Sequence, residues 1–225
     1  MATASSGTEG VAGTAVFGGS FNPIHLGHLL IADEMLERLR LTRVVFVPAA
    51  APPHKPASAL APAEHRYEMV RLAVAGHPGF EVSDIELRRQ GPSFTVDTVE
   101  ALARPGLDLF LLIGSETFLD LLSWRRPRRI VELARLVVVP RTGSAFDPES
   151  AAAQKVLREI GAEHFVGPDD PLTPASVIVV HAASLPISSS DLRARARAGH
   201  SLAYRVPEAV SAYIRRHRLY VGDER

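Results

Sequence analysis

The chain has no cysteine, which excludes disulfides, thiolate metal ligands and a cysteine nucleophile at once and fits a reducing compartment. It has no surplus of either charge: 25 Lys and Arg offset 25 Asp and Glu, for a formal net charge of +0. General nucleic-acid binders are strongly basic, so neutrality argues against that class. No apolar run approaches the roughly 20 residues that span a bilayer, so no membrane partner is expected. Residues 1–13 are rich in Ala, Thr, Ser and Gly and lack the basic start and apolar stretch of a secretory signal. They read as a flexible tail on a cytoplasmic protein. No internal repeat and no second domain is visible, so residues 14–225 are expected to form one domain. A chain of 225 residues that is 46% hydrophobic is long enough to bury a substantial core.

What the sequence does contain is organised around Phe17-Gly18-Gly19-Ser20-Phe21-Asn22-Pro23-Ile24-His25-Leu26-Gly27-His28. The apolar run at 14–17 before it reads as a buried first strand. Leu29, Leu30, Ala32, Met35, Leu36 and Leu39 after it recur at helical spacing. The stretch is therefore a strand, a glycine turn and a helix beginning near the histidines, which together make an anion site. Gly18 and Gly19 let the backbone approach a phosphate, and the first helical N–H groups and the dipole point at it. His25 and His28 share a helix face and reach one ligand together, with Gly27 leaving room for it.

Residues 43–48 form a second, β-branched strand and complete a βαβ unit, which implies a parallel sheet. Residues 108–113, 136–140 and 175–180 are apolar runs of the kind that fill such a sheet with both faces covered. Residues 80–87 alternate and read as a strand near a sheet edge, 63–75 and 148–160 as helices, and 161–174 as a variable Pro/Gly/Asp-rich connection. The expected fold class is α/β: a Rossmann-like doubly wound sheet, mainly parallel, with helices on both faces and further helices at the C-terminal end. Ligands of such sheets bind beyond the carboxyl ends of the strands, so Gly114, Glu116 and Arg141 are candidate walls of a crevice. Arginine at that place is a fork for phosphate oxygens.

Other segments admit two readings each. Pro52-Pro53-His54-Lys55-Pro56 presents two basic groups on a stiff loop, suited to a phosphate or to simple solvation. In the segment from Gly91 to Thr98, Ser93 and Thr95 read as helix N-cap residues. The only tryptophan, Trp124, reads as core or interface, and Arg125, Arg126, Arg128 and Arg129 around it as solvated. Leu185 to Arg193 places three serines at a helix start, which serves as an anion nest or as ordinary capping. At about 100° per residue, Arg193 and Arg197 share a face. His65, His77, His164, His181, His200 and His217 show no ligand spacing and are given no role.

From residue 14 to residue 220 these segments resemble the nucleotidyltransferase superfamily with a His-x-Gly-His motif and, within it, the bacterial nicotinate-nucleotide adenylyltransferases. Ser20 and Asn22 stand where that family usually has Thr and Asp, and Glu116 where it has Asp. The resemblance implies that Gly18, Gly19, Ser20, Phe21, Gly27, Gly114 and Glu116 bind ATP beside His25 and His28. It is similar again at Ile187, Ser188, Ser189, Ser190 and Arg193, which match the family's triphosphate motif with Ser190 for Thr and Leu192 for Ile. His25, His28 and Arg193 are the implied catalytic residues. Ser20, His54, Lys55, Thr95, Trp124 and Arg141 are the implied mononucleotide contacts, with Thr95 at the nicotinate carboxylate and Trp124 stacking on the pyridine ring.

The implied reaction joins ATP and nicotinate mononucleotide into nicotinate adenine dinucleotide and pyrophosphate, with Mg2+ carried on the phosphates rather than in a protein cage. Thr95 and Trp124 are the features that distinguish this acceptor from nicotinamide mononucleotide or phosphopantetheine. A non-catalytic nucleotide-binding regulator on the same fold is the alternative from another class. Oligomeric state is not legible.

Overall fold

The computed structural model describes residues 13–141 and 143–221; the expected tail at 1–13 lies outside the described residues apart from Gly13. Its strands are β1 (Thr14–Gly19), β2 (Arg43–Pro48), β3 (Phe80–Val82), β4 (Leu109–Gly114), β5 (Arg135–Val139), β6 (His164–Val166) and β7 (Ser176–Val179). The helices are α1 (Leu26–Arg38), α2 (Ala63–Val74), α3 (Thr95–Leu102), α4 (Ser115–Leu119), α5 (Pro127–Leu133), α6 (Ala151–Ile160), α7 (Ser189–Arg197) and α8 (Glu208–Arg216).

The central strands carry apolar residues at consecutive positions, and the pleat sends alternate ones to opposite faces. Ala15, Phe46, Phe110, Leu112, Val137 and Ile178 join one core with Met35 of α1, Met69 of α2, Leu192 of α7 and Ile214 of α8. Val16, Val45, Leu111, Ile113, Val138 and Val177 join a second core with Val99 of α3, Phe118 of α4, Ile130 of α5 and Leu157 of α6. A sheet with both faces apolar must be covered on both, and the helices divide between them accordingly.

All seven strands pair in parallel, in the order β3-β2-β1-β4-β5-β7-β6. The chain winds outward from β1 through β2 to β3, then crosses back to the other side of β1 with β4. The reversal between β1 and β4 opens a crevice beyond their carboxyl ends, at Gly18, Gly19 and Gly114. No helix among the described residues is long and apolar enough to cross a membrane.

Three local expectations are corrected. The strand expected over 80–87 is only β3, because the chain turns at Ile85 and buries Glu86. The connection at 161–174 contains the short edge strand β6, paired with β7. The helix expected from 148 begins at Ala151, where Ser150 caps it by accepting from the Ala153 N–H.

Candidate active site

Gly18 and Gly19 of the first motif lie in β1 rather than in a turn. The turn is Ser20 to Ile24, with Phe21 at φ 44 and a cis Asn22–Pro23 bond. The Phe21 ring is buried edge-on to Phe17 and His28, with centroids 5.7 and 5.2 Å apart. A Cβ on Gly19 would meet that ring at 3.0 Å, and one on Gly27 would meet the His25 ring at 3.1 Å. These two glycines therefore make room for side chains of the motif itself. A Cβ on Gly18 would find no protein atom within 4 Å, so its surface is open.

His25 caps α1 in an extended conformation (φ −148, ψ 169). Its backbone N–H donates to His28 Nδ1 at 3.2 Å. An accepting Nδ1 places the proton of the neutral His28 ring on Nε2. The two imidazoles stack with centroids 3.7 Å apart, and neither tolerates a charge there. Burial, reinforced by the Arg141 guanidinium, pushes His25 down to about 4. Burial, His25 and Arg141 hold His28 well below the ordinary histidine value. Near pH 7 the pair is neutral and offers N–H donors rather than cations.

The second motif closes onto the first. Arg193 Nη1 donates to the Asn22 carbonyl at 2.9 Å, and Ser189 Oγ donates to the Pro23 carbonyl at 2.9 Å. Ser188 caps α7, with Oγ accepting from the Asp191 N–H and donating to Asp191 Oδ2. Arg193 Nη2 donates to Ser190 Oγ at 3.2 Å. The serine hydroxyls expected to face a phosphate thus all have partners in the chain, and Ser189 joins the two motifs. Ile187 packs against the first core and anchors the segment.

Lys55 reaches over the first motif, its Nζ donating to Ser20 Oγ at 2.9 Å. Burial, Arg193 and Arg66 all lower its affinity for a proton, so three cations converge there. His54 beside it is exposed. Arg141 follows β5, in a pocket with Ser144, Phe146 and His181. Gly114 ends β4 and caps α4, whose first turn carries the exposed Glu116.

Thr95 and Trp124 lie on the second-core side of the sheet. Phe94, not Ser93 or Thr95, is the N-cap of α3, and Thr95 is the first residue of that helix. Ser93 instead pins residue 51, accepting at Oγ from the Ala51 N–H. Trp124 is half-buried against the second core. The arginines around it are exposed but engaged rather than simply solvated. Arg125 lies 4.9 Å over the Phe94 ring, Arg126 pairs with Asp97 and Glu100, and Arg129 pairs with Glu100 and Glu132. These contacts tie the Trp124 segment to α3.

Sequence reasoning missed Asn22 as a hub. Its Nδ2 donates to the Ala59 carbonyl, and its Oδ1 accepts from the Ala61 N–H and the Tyr220 hydroxyl. Nothing in one dimension marks Tyr220 as its partner.

The arrangement suits a polyphosphate: neutral donors and several cations at the head of a strand–helix unit, at a topological switch point. The cytidylyltransferase-like family model matches residues 16–195, and the chain belongs to that family. It is 44% identical over 206 residues to the probable nicotinate-nucleotide adenylyltransferase of Roseiflexus sp. (strain RS-1), covering 91% of this chain and 96% of the relative. It is 42% identical over 207 residues to that of Thermus thermophilus, covering 91% and 97%. Among solved structures, the Plasmodium falciparum nicotinic acid mononucleotide adenylyltransferase complexed with NaAD aligns with a TM-score of 0.70 over 93% of this chain and 97% of that one. At 18% identity that likeness carries the fold alone.

Proposed function

We propose that this chain is a cytoplasmic nicotinate-nucleotide adenylyltransferase of NAD biosynthesis, acting as a single domain. It joins ATP and nicotinate mononucleotide to give nicotinate adenine dinucleotide and pyrophosphate. The observation that carries the reading is the union of the His25–His28 pair with the Arg193 motif at one crevice, in a chain 44% identical to a relative of that name.

A phosphate oxygen of the mononucleotide attacks the α-phosphorus of ATP; the new P–O bond forms as the bond to the β-phosphate oxygen breaks, and pyrophosphate leaves. A nucleotide phosphate is already largely ionised at pH 7, so no general base is required. The protein's task is to align two anions and to stabilise charge on the transferring group. His28 Nε2–H donates to the α-phosphate, and His25 to the adjoining phosphates. Arg193 and the first N–H groups of α7, flanked by Ser188 and Ser190, hold the β/γ end. Gly18 contributes an open surface over which the nucleotide lies.

Lys55 and His54 meet the mononucleotide phosphate, Arg141 the crevice wall beyond β5, and Thr95 with Trp124 the nicotinate ring and carboxylate. Magnesium prefers oxygen ligands, and the donors around the histidines are imidazole and cationic. Glu116, in the first turn of α4 after Gly114, would meet an ion carried by the phosphates, while Asp191 is held by Ser188. The ion neutralises phosphate charge when bound.

The test is pyrophosphate release from Mg-ATP with nicotinate mononucleotide, nicotinamide mononucleotide and 4′-phosphopantetheine, with the product mass recorded. Nicotinate mononucleotide is expected to give the highest kcat/KM. A better acceptor among the others would overturn the assignment, and nucleotide binding without pyrophosphate release would favour a regulator.

A further inference from the structure

Arg66 of α2 is 1% exposed, and none of the ion pairs among the described residues includes it. Its donors run to backbone carbonyls: Nε to Ala61 at 2.8 Å, Nη1 to Ser20 at 2.9 Å and Ala49 at 2.6 Å, and Nη2 to Ala50 at 3.1 Å. Taking a guanidinium out of water is costly. An apolar side chain would fill the space with less desolvation, so what Arg66 contributes is its directed donors.

Those carbonyls are not scattered. Ala49 and Ala50 open the proline-rich loop that carries His54 and Lys55, and Ala61 closes it. One guanidinium therefore bridges the two ends of the loop, and its bond to Ser20 fixes that base against the first motif. Across the same gap Lys55 Nζ meets Ser20 Oγ at 2.9 Å. Independently, Asn22 holds the closing end through the Ala59 carbonyl and the Ala61 N–H.

We propose that Arg66 is a positioning residue for adenylyl transfer: it sets the loop of residues 49–61 against Ser20 so that Lys55 stands over the nucleotide crevice. Arg66 touches no substrate and acts through Lys55. The inference rests on the functional reading above, because it takes Lys55 as the contact to the mononucleotide phosphate.

The test uses the full-length protein with Arg66→Lys, Arg66→Met, Lys55→Ala and the Lys55→Ala/Arg66→Lys double variant, assayed at a temperature where circular dichroism shows each one folded. Lysine keeps the charge but lacks the planar fork and cannot reach all these carbonyls. Loss of the Lys55 contact is expected to raise KM for nicotinate mononucleotide about tenfold or more, the effect of one charged hydrogen bond, with a smaller change in kcat. Because both substitutions remove the same contact, the double variant is expected to resemble the single ones rather than to multiply them.

A folded Arg66→Lys with wild-type KM, or effects that multiply independently, would overturn the proposal. Should no Arg66 variant fold, hydrogen exchange of the Arg66 Nε–H in the wild-type chain, read by NMR, decides. Bonded to the Ala61 carbonyl, it is expected to exchange far more slowly than a free guanidinium, and exchange at the free-arginine rate would overturn the brace. Wild-type turnover separates the two readings: its absence would refute the enzymatic assignment while exchange at Arg66 Nε still judges the brace.

Discussion

Arg193 donates through Nη1 to the backbone carbonyl of Asn22, 2.9 Å away and 171 residues earlier in the chain. The bond joins the middle of α7 to the loop between β1 and α1, so two short motifs near opposite ends of the sequence share one crevice. With Ser189 bonded to the Pro23 carbonyl, the chain's own contacts fix the second motif to the first. Such preorganisation lowers the reorganisation needed when charge develops on a transferring phosphoryl group.

His28 is the sharpest test of the chemistry. Its Nδ1 is occupied by the His25 N–H, leaving Nε2–H for substrate. His28→Ala is expected to lower kcat by about 10²–10³, with a circular dichroism spectrum like the wild type. Pyrophosphate release near the wild-type rate would remove His28 from catalysis.

The depressed histidines give a pH signature with a definite sign. His25 titrates at about 4 in the folded chain against 6.5 in the reference state. Between those values the unfolded chain takes up a proton that the folded chain refuses. Stability is therefore full above pH 6.5, falls as pH drops toward 4 and is flat in this respect below. For His25 the interval is worth about 3 kcal/mol. Urea unfolding of wild type and His25→Gln at pH 7 and pH 4.5 measures it, and the variant is expected to lose less stability on acidification. Equal losses would contradict the burial argument.

Gly18 faces open space, whereas Gly27 faces the His25 ring. Gly27→Ala sets a methyl group 3.1 Å from the His25 ring and is expected to lower kcat by displacing it. Gly18→Ala meets no protein atom within 4 Å, so its melting temperature is expected to stay within a degree or so of wild type, as for an unobstructed surface change, while KM for ATP rises. An unchanged KM would mean that nucleotide does not lie over Gly18.

Trp124 is the only tryptophan, so its fluorescence tests, without labelling, the proposal that it lines the acceptor site. Nicotinate mononucleotide is expected to quench it more strongly than nicotinamide mononucleotide at equal concentration. Trp124→Ala is expected to raise KM for the mononucleotide and leave KM for ATP near wild type. Quenching by ATP alone, with none by the mononucleotide, would move the ring to another subsite.

Much of this is legible in one dimension. Uninterrupted apolar runs at 109–113 and 136–139 mark central parallel strands because both faces of those strands are buried. Helical spacing after His28 places α1 correctly. β6 is not legible, because three half-exposed edge residues leave little apolar signal in a Pro/Gly-rich stretch. The roles of Gly19 and Gly27 escape the sequence for a different reason: the close neighbours they accommodate, the Phe21 and His25 rings, are fixed by how the turn folds back. Arg66 looks like any arginine on an amphipathic helix, and only the return of residues 49, 50 and 61 to one point reveals its task. In the same way, the serines at 188–190 spell a phosphate nest without disclosing that Ser189 is engaged with Pro23.

The most direct measurement is a crystal structure with a non-hydrolysable ATP analogue and magnesium. The expected result is the α-phosphate within hydrogen-bond distance of His28 Nε2, with the β/γ end at Arg193 and the start of α7. A triphosphate bound away from either cluster, or touching one while the other faces solvent, would contradict the shared-crevice account.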